Sequence, residues 1–249
     1  MKILIPFLFS LFVLANCVTD DVEPLETKRL LGYWPLNEGQ GKTISDLSVH
    51  QQHGSIVGRE RWGLGHFHEK AYLGNGTSYI EIPDNTLDSN FPGQSLGKFS
   101  SSFSVTAWIK VSLNSYQMIV AKDKEGERSF NFSLSKEGTL KVQIYSYTNS
   151  IDFTGVQPIT EQQGWRHVAM VYEFHANETS SVTTYIDGKE DKTADFVIGP
   201  IKATPTSFRI GAREFSPTVI NQFQGLMNDI RIYSRILTES EIQTFMNLK

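Results

Sequence analysis

From about residue 29 onward, apolar residues recur at every second position in short runs, and Gly, Asn, Asp and Pro break those runs. The clearest run is 101–111, where Phe103, Val105, Ala107, Ile109 and Val111 fall on one face and Ser104, Thr106, Trp108 and Lys110 on the other. That period of two is the mark of a half-buried strand, because successive side chains of an extended chain point to opposite faces. Similar runs occupy 30–36, 117–122, 129–134, 139–147, 165–174, 181–186, 207–211 and 222–233. Turn signals lie between them. Lys136-Glu137-Gly138 and Asp187-Gly188 read as hairpin turns, since Gly tolerates the positive φ such turns need. Many short strands separated by turns predict an all-β sandwich. One helix is predicted, at the carboxyl end. There Thr238-Glu239-Ser240-Glu241 has the capping-box pattern, and Ile242, Phe245 and Met246 form an apolar stripe that packs on the sandwich.

The amino end follows a different rule. Lys2 precedes the nearly all-apolar stretch 3–13, which is too short to span a bilayer and has the length of a secretory signal's apolar centre. The only cysteine of the chain, Cys17, comes next, in Leu14-Ala15-Asn16-Cys17. This resembles the lipobox of bacterial lipoproteins, with Asn16 where Gly, Ala or Ser is usual. The resemblance implies lipidation of Cys17 and an anchor in a membrane. The other reading is plain signal cleavage after Ala15. The expected organisation is a signal over 1–16, a polar tether over 17–28 and one domain over 29–249. The expected location is beyond the inner membrane of a bacterium, lipid-anchored at the outer membrane or cell surface. With no second cysteine, no intrachain disulfide staples the fold.

Composition changes this picture little. The chain has 249 residues, 39% of them hydrophobic and 12% aromatic, ample for a core. A net charge of -4 without a cluster of Lys and Arg argues against a nucleic-acid partner.

An ordered set of motifs adds a family. It runs from Gly32-Tyr33-Trp34-Pro35-Leu36-Asn37-Glu38-Gly39 through Phe103-Ser104-Val105-Thr106-Ala107-Trp108-Ile109-Lys110, Trp165-Arg166-His167-Val168-Ala169 and Tyr185-Ile186-Asp187-Gly188. It ends on Phe223-Gln224-Gly225-Leu226-Met227-Asn228-Asp229-Ile230-Arg231-Ile232-Tyr233. Together these resemble the laminin-G-like, concanavalin-A-like lectin superfamily over about 30–246. The resemblance implies a two-sheet jelly-roll sandwich. Trp34, Trp108 and Trp165 read as core residues, and His167 as a core or rim histidine. Many relatives bind a structural calcium through a loop and a late Asp, so the resemblance also implies a Ca2+ site using Asp46, Asn228 and Asp229. Calcium takes carboxylate, amide and carbonyl oxygens, which these residues and the loop 46–54 offer. Val49, His50 and Gln51 stand where relatives often carry Gly and Asn. The alternative is that Asp46 caps a turn and Asp229 pairs with Arg231.

Catalytic motifs are missing from the sequence. Retaining glycosidases need two carboxyl groups about 5–5.5 Å apart, and the Glu-x-Asp-x-x-Glu pattern of sandwich glucanases does not occur. Asp123, Glu125 and Glu127 alternate, but inside 122–128, which reads as a solvated turn. No Gly-x-Ser-x-Gly elbow is present. The expectation is therefore a non-catalytic binding module. Exposed aromatics beside polar groups suit a sugar, so Tyr145, Tyr147 and Asn149 on one strand, with Arg213 and Phe215 in a later loop, are the expected ligand contacts. Tyr145 and Tyr147 share a face by the period-two rule. Two partners stay open: a glycan, or an extracellular or surface protein.

Overall fold

The computed structural model describes residues 24–83, 102–112, 115–176 and 179–248. Cys17, the signal 1–16 and residues 17–23 of the tether lie outside the described residues. Among those described, the strands in chain order are β1 (Leu30–Trp34), β2 (Thr43–Ile44), β3 (Gly54–Val57), β4 (Trp62–Leu64), β5 (Lys70–Asn75), β6 (Tyr79–Ile82), β7 (Phe103–Val111), β8 (Gln117–Lys124) and β9 (Glu127–Leu134). They continue as β10 (Thr139–Tyr145), β11 (Ser150–Pro158), β12 (Arg166–Glu173), β13 (Ser180–Ile186), β14 (Lys189–Phe196), β15 (Phe208–Ile210), β16 (Arg213–Phe215), β17 (Thr218–Ile220) and β18 (Gln224–Tyr233). The helix α1 covers Glu239–Phe245.

The strands form two sheets. The first has the order β14-β13-β12-β7-β18-β5-β4, with β1 also paired to β18; the second has the order β11-β10-β9-β8-β15-β6-β3-β2, with the β16-β17 hairpin attached to β8. The all-β sandwich expected from the alternation is what forms. The core lies between the sheets. Phe103, Val105, Ala107 and Ile109 of β7 face Phe130 and Phe132 of β9, and Trp34 stacks on Phe208 with ring centroids 5.5 Å apart. Each of the Phe, Val and Ile side chains contributes about 1.5–3 kcal/mol on burial.

The outer face of the first sheet has its own small core. Helix α1 lays Ile242 and Phe245 on Ala169, Val171, Tyr185 and Tyr233. The capping box forms as expected: Thr238 Oγ1 accepts from the Glu241 amide at 3.3 Å, and Glu241 Oε2 accepts from the Thr238 amide at 2.8 Å. Arg235 ties this helix to the chain entry. It donates to Glu241 Oε1 at 2.6 Å, to the Lys28 carbonyl at 2.9 Å and to the Leu25 carbonyl at 3.0 Å. Residues 24–28 are thus folded onto the domain as a turn. The Asp187-Gly188 turn between β13 and β14 has φ of 49° and 71°, the primed-turn geometry expected from its sequence.

Candidate functional site

The outer face of the second sheet is built by the same alternation that fills the core. Phe130 and Phe132 of β9 and Leu140, Val142 and Ile144 of β10 point inward. Ser129, Asn131 and Ser133, with Lys141, Gln143 and Tyr145, therefore point outward. Register brings Asn131 opposite Gln143, and Gln143 opposite Asp152 of β11. The Asn131 amide donates to Gln143 Oε1 at 3.0 Å and to Asp123 Oδ2 at 2.8 Å.

Asp123 is the centre of this face. Its side chain has 0% exposure, with Arg128 Nε 3.4 Å from Oδ1 and Arg213 at 3.4 Å from Oδ2. A carboxylate is tolerated at that depth because two guanidiniums flank it; removing either leaves a buried charge less compensated. The expectation of a solvated turn over 122–128 is corrected here. β8 runs to Lys124 and β9 starts at Glu127, so Asp123 lies in the sheet. Arg128 also donates to the Tyr145 hydroxyl at 3.2 Å, and its guanidinium carbon lies 5.4 Å from the centre of the Tyr145 ring. Burial, and then the Asp123 charge, raise the Tyr145 phenol above its usual range, so it is a neutral hydroxyl at physiological pH.

At the end of this cluster lies a cavity of about 300 Å³ lined by Gly126, Arg128, Tyr145, Ser146 and Lys202. The Lys202 amide donates to the Tyr145 carbonyl at 2.8 Å, and its ammonium to the Gly126 carbonyl at 3.3 Å. Two cations, Arg128 and Arg213, thus flank the Asp123 carboxylate, and a third, Lys202, lines the cavity beside Arg128.

Of the expected ligand residues, Tyr145 and Arg213 come together in this cluster. The others do not join it as expected. β10 ends at Tyr145, so Tyr147 is carried on the following turn, 64% exposed, and does not share a strand face with Tyr145. Asn149 holds that turn: its Oδ1 accepts from Ser146 Oγ at 2.7 Å, and its amide donates to the Val197 carbonyl at 2.9 Å. Phe215 ends β16, 40% exposed. Asp123 and Arg128 read as turn residues in the sequence because charged residues beside Gly126 look solvated until pairing is known, and Lys202 carries no local pattern that marks it.

A second recess lies at the rim of the first sheet. It encloses about 220 Å³ between Tyr33, Pro35, Asn37, Leu47, Phe67, Glu69, Asn228 and Asp229. Asn228 is its organiser. Its amide donates to the carbonyls of Pro35 (2.9 Å), Leu36 (3.4 Å) and Lys70 (3.1 Å), while its Oδ1 accepts from the His66 amide at 3.1 Å. One side chain thereby joins the 35–37 loop, the 65–69 loop and β18. Beside the recess, His66 stacks on Trp108 with centroids 3.5 Å apart, and Trp165 lies edge-on to His66 at 6.1 Å. Of the three tryptophans expected in the core, Trp34 lies between the sheets, and Trp108 is buried as well, at 7% exposure, but on the other face of the first sheet. Trp108 pairs across with His167 and Asn228 on the face away from the main core and is covered there by His66, whereas Trp165 is half-buried.

The family model for the concanavalin A-like lectin/glucanases superfamily matches residues 74–243, most of the sandwich just described. The chain belongs to that superfamily. No curated protein matches it. Among solved structures, the superfamily sandwich resembles domain 4 of AbnA, a GH43 extracellular arabinanase from Geobacillus stearothermophilus, in complex with arabinotriose. The TM-score is 0.61 at 23% identity, over 87% of this chain and 97% of that one. It also resembles the binding domain of Paraclostridial Mosquitocidal Protein 1, with a TM-score of 0.63 at 17% identity over 88% of this chain and 52% of that one. A third is the binding domain of botulinum neurotoxin DC in complex with SialylT, with a TM-score of 0.61 at 13% identity over 89% and 52%. The chain spans about half the length of those two toxin domains. At these identities the likeness speaks for the fold.

The calcium site that superfamily membership implies does not fit this chain. Asp46 engages both oxygens with its own loop and with β1. Oδ1 accepts from the amides of Tyr33 and Ser48, each at 2.8 Å; Oδ2 accepts from Ser48 Oγ at 2.8 Å and the Gln52 amide at 2.7 Å. Asp229 is gripped by Arg231, Nε to Oδ1 at 2.6 Å and a terminal nitrogen to Oδ2 at 3.1 Å. That guanidinium lies 4.4 Å from the centre of the Tyr33 ring. Asn228 turns its amide protons, which repel a cation, toward three carbonyls. Asp46 as a turn cap and Asp229 as an arginine partner is the arrangement observed. Among the described residues no group of three His, Cys, Asp or Glu converges as metal ligands would.

Proposed function

We propose that this protein is a non-catalytic, lectin-like module that binds acidic glycans through the Tyr145 pocket. The observation that carries this is a cavity of about 300 Å³ lined together by Tyr145, Arg128 and Lys202, with Arg128 beside the Tyr145 ring. A ring offers a face to a sugar's C–H groups, and paired cations suit a carboxylate or sulfate, which Arg binds in bidentate fashion. Solved relatives of the same fold were captured with arabinotriose and with SialylT, which supports a glycan as the ligand class. A binding role also agrees with the carboxylates on this face. Asp123 pairs with Arg128 and Arg213, and Glu81 and Glu214 with Arg209. Charges held in that way are poor general acids or bases. The sequence of 14–17 supports display of the module from a lipid anchor at Cys17 on a bacterial surface.

The test is a glycan array followed by titration of the best ligand. The expected result is binding of sialylated or uronic-acid glycans, lowered at least tenfold by Arg128→Ala and by Tyr145→Phe plus Lys202→Ala together. No glycan bound, or binding indifferent to those substitutions, overturns the reading. Capture of an extracellular-matrix protein by a glycan-free surface would put a protein in the glycan's place. Loss of fatty-acid labelling in Cys17→Ser tests the anchor.

A further inference from the structure

We infer that the recess at the rim of the first sheet is a second, separate sugar site, and that it takes one residue of a neutral glycan. The recess is preorganised. Asn228 ties its walls together through buried hydrogen bonds, and Leu36, His68 and Asp229 around it all hold φ between 53° and 63°, a conformation non-glycine residues adopt only when their surroundings impose it. Its walls are chemically mixed. Phe67 and Pro35 offer apolar surface, and Leu47, 63% exposed, stands at its edge. Opposite them, Glu69 Oε2 accepts from the Asn37 amide at 2.7 Å. That pairing presents a carboxylate and an amide side by side, a set that accepts from and donates to adjacent hydroxyls.

Charge selects the ligand. Asp229 is neutralised by Arg231, whereas Glu69 has only an amide partner among the described residues. The recess is therefore net negative. It repels the acidic sugars that suit the Tyr145 pocket and accepts hydrogen bonds from a neutral sugar's hydroxyls. Its volume of about 220 Å³ lies below the usual range of small-molecule pockets, about 300–1,000 Å³, so it holds a single residue or a chain end. His66, backed by the buried Trp108, and the half-buried Trp165 extend an aromatic edge beside it, along which the rest of an oligosaccharide lies.

The test is a titration of the protein with neutral oligosaccharides (arabinotriose, cellotriose and galactobiose) to about 10 mM, beyond the millimolar range of weak binding. Two signals are followed, the side-chain amide resonances of Asn37 and the indole resonances of Trp108 and Trp165. The expected result is saturable shifts of these resonances with at least one of the sugars. Phe67→Ala and the isosteric Glu69→Gln should each weaken binding at least tenfold, with the spectrum of the core unchanged. Glu69→Gln guards against a folding artefact, because it keeps size and shape. Three results would overturn the inference. These are no shift with any neutral sugar, shifts that persist in both variants, or tighter binding of an amino sugar or of lysine, which would assign the recess to a cation. Acidic glycans are titrated separately, so the failure of one site is distinguishable from the failure of the other.

Discussion

His167 and Asn228 lie on the same outer face of the first sheet, and both carry buried polar atoms. His167 is 3% exposed, and its Nδ1 has no hydrogen-bond partner. Burial first, then the positive charge of Arg231 and the neighbouring His66, lower its pKa from 6.5 to about 3. The imidazole is neutral in the folded protein, while the unfolded chain takes up a proton below about pH 6.5. Stability is therefore at its plateau above that pH and is lost as pH falls toward 3. At pH 5 the expected loss is about 2 kcal/mol, since one pKa unit corresponds to 1.36 kcal/mol. His66 is lowered as well, mainly by burial, so the two add. Urea midpoints at pH 7.5 and pH 5 in wild type and His167→Leu isolate the His167 share; equal slopes in the two proteins would rule it out. Asn228 makes the opposite kind of prediction. Read as a metal ligand, it would gain from Asn228→Asp. Here that change points a carboxylate at the carbonyls of Pro35, Leu36 and Lys70. Each buried group left unsatisfied costs about 1–3 kcal/mol, so Asn228→Asp should lower the urea midpoint sharply, with or without added calcium.

Elements differ in how visibly the sequence writes them. β7, β8, β12 and β18 lie inside their sheets, and alternation or a continuous apolar run announced each of them. β14, β11, β4 and β2 end the two sheets, and only the first half of β11, with Ile151 and Phe153 buried, alternates. β14 reads KEDKTADF with every residue exposed or half-exposed, because an edge strand facing solvent needs charge more than it needs a core face. The same reasoning explains the site. Asp123 and Arg128 look like turn residues by composition, and only cross-strand pairing turns them into a buried charge cluster. Helix α1 was legible because capping is local: Thr238 and Glu241 lie three residues apart and satisfy each other's amides. Thr238→Ala should cost about 1 kcal/mol. The loss should appear as faster amide exchange in 239–246, with the strands of the sandwich unaffected; uniform acceleration everywhere would mean the helix opens only with the whole domain.

At the scale of the whole molecule, two faces of one sandwich carry opposite chemistry. The second sheet offers cations around Tyr145, and the rim of the first offers a carboxylate beside Phe67. What separates this chain from a calcium-stiffened relative is how it holds that rim together. A bound Ca2+ joins loops through shared oxygens. Here Asp46 closes its loop on backbone amides, Asn228 bonds two loops to β18, and the Arg231 guanidinium supplies the positive charge that Asp229 needs. All of these are covalently part of the chain, so these contacts hold the rim without drawing on a bound ion. The melting temperature should therefore be the same in millimolar calcium and in excess chelator. A rise with calcium that follows a binding curve would show that a cation enters after all. Arg231→Ala is the informative variant. It leaves the largely buried Asp229 without its partner, and breaking such a pair costs about 3–5 kcal/mol. If calcium restores stability to that variant alone, the arginine occupies the role of the cation. If calcium restores nothing, the rim has lost the oxygen geometry a metal needs as well as the need for one.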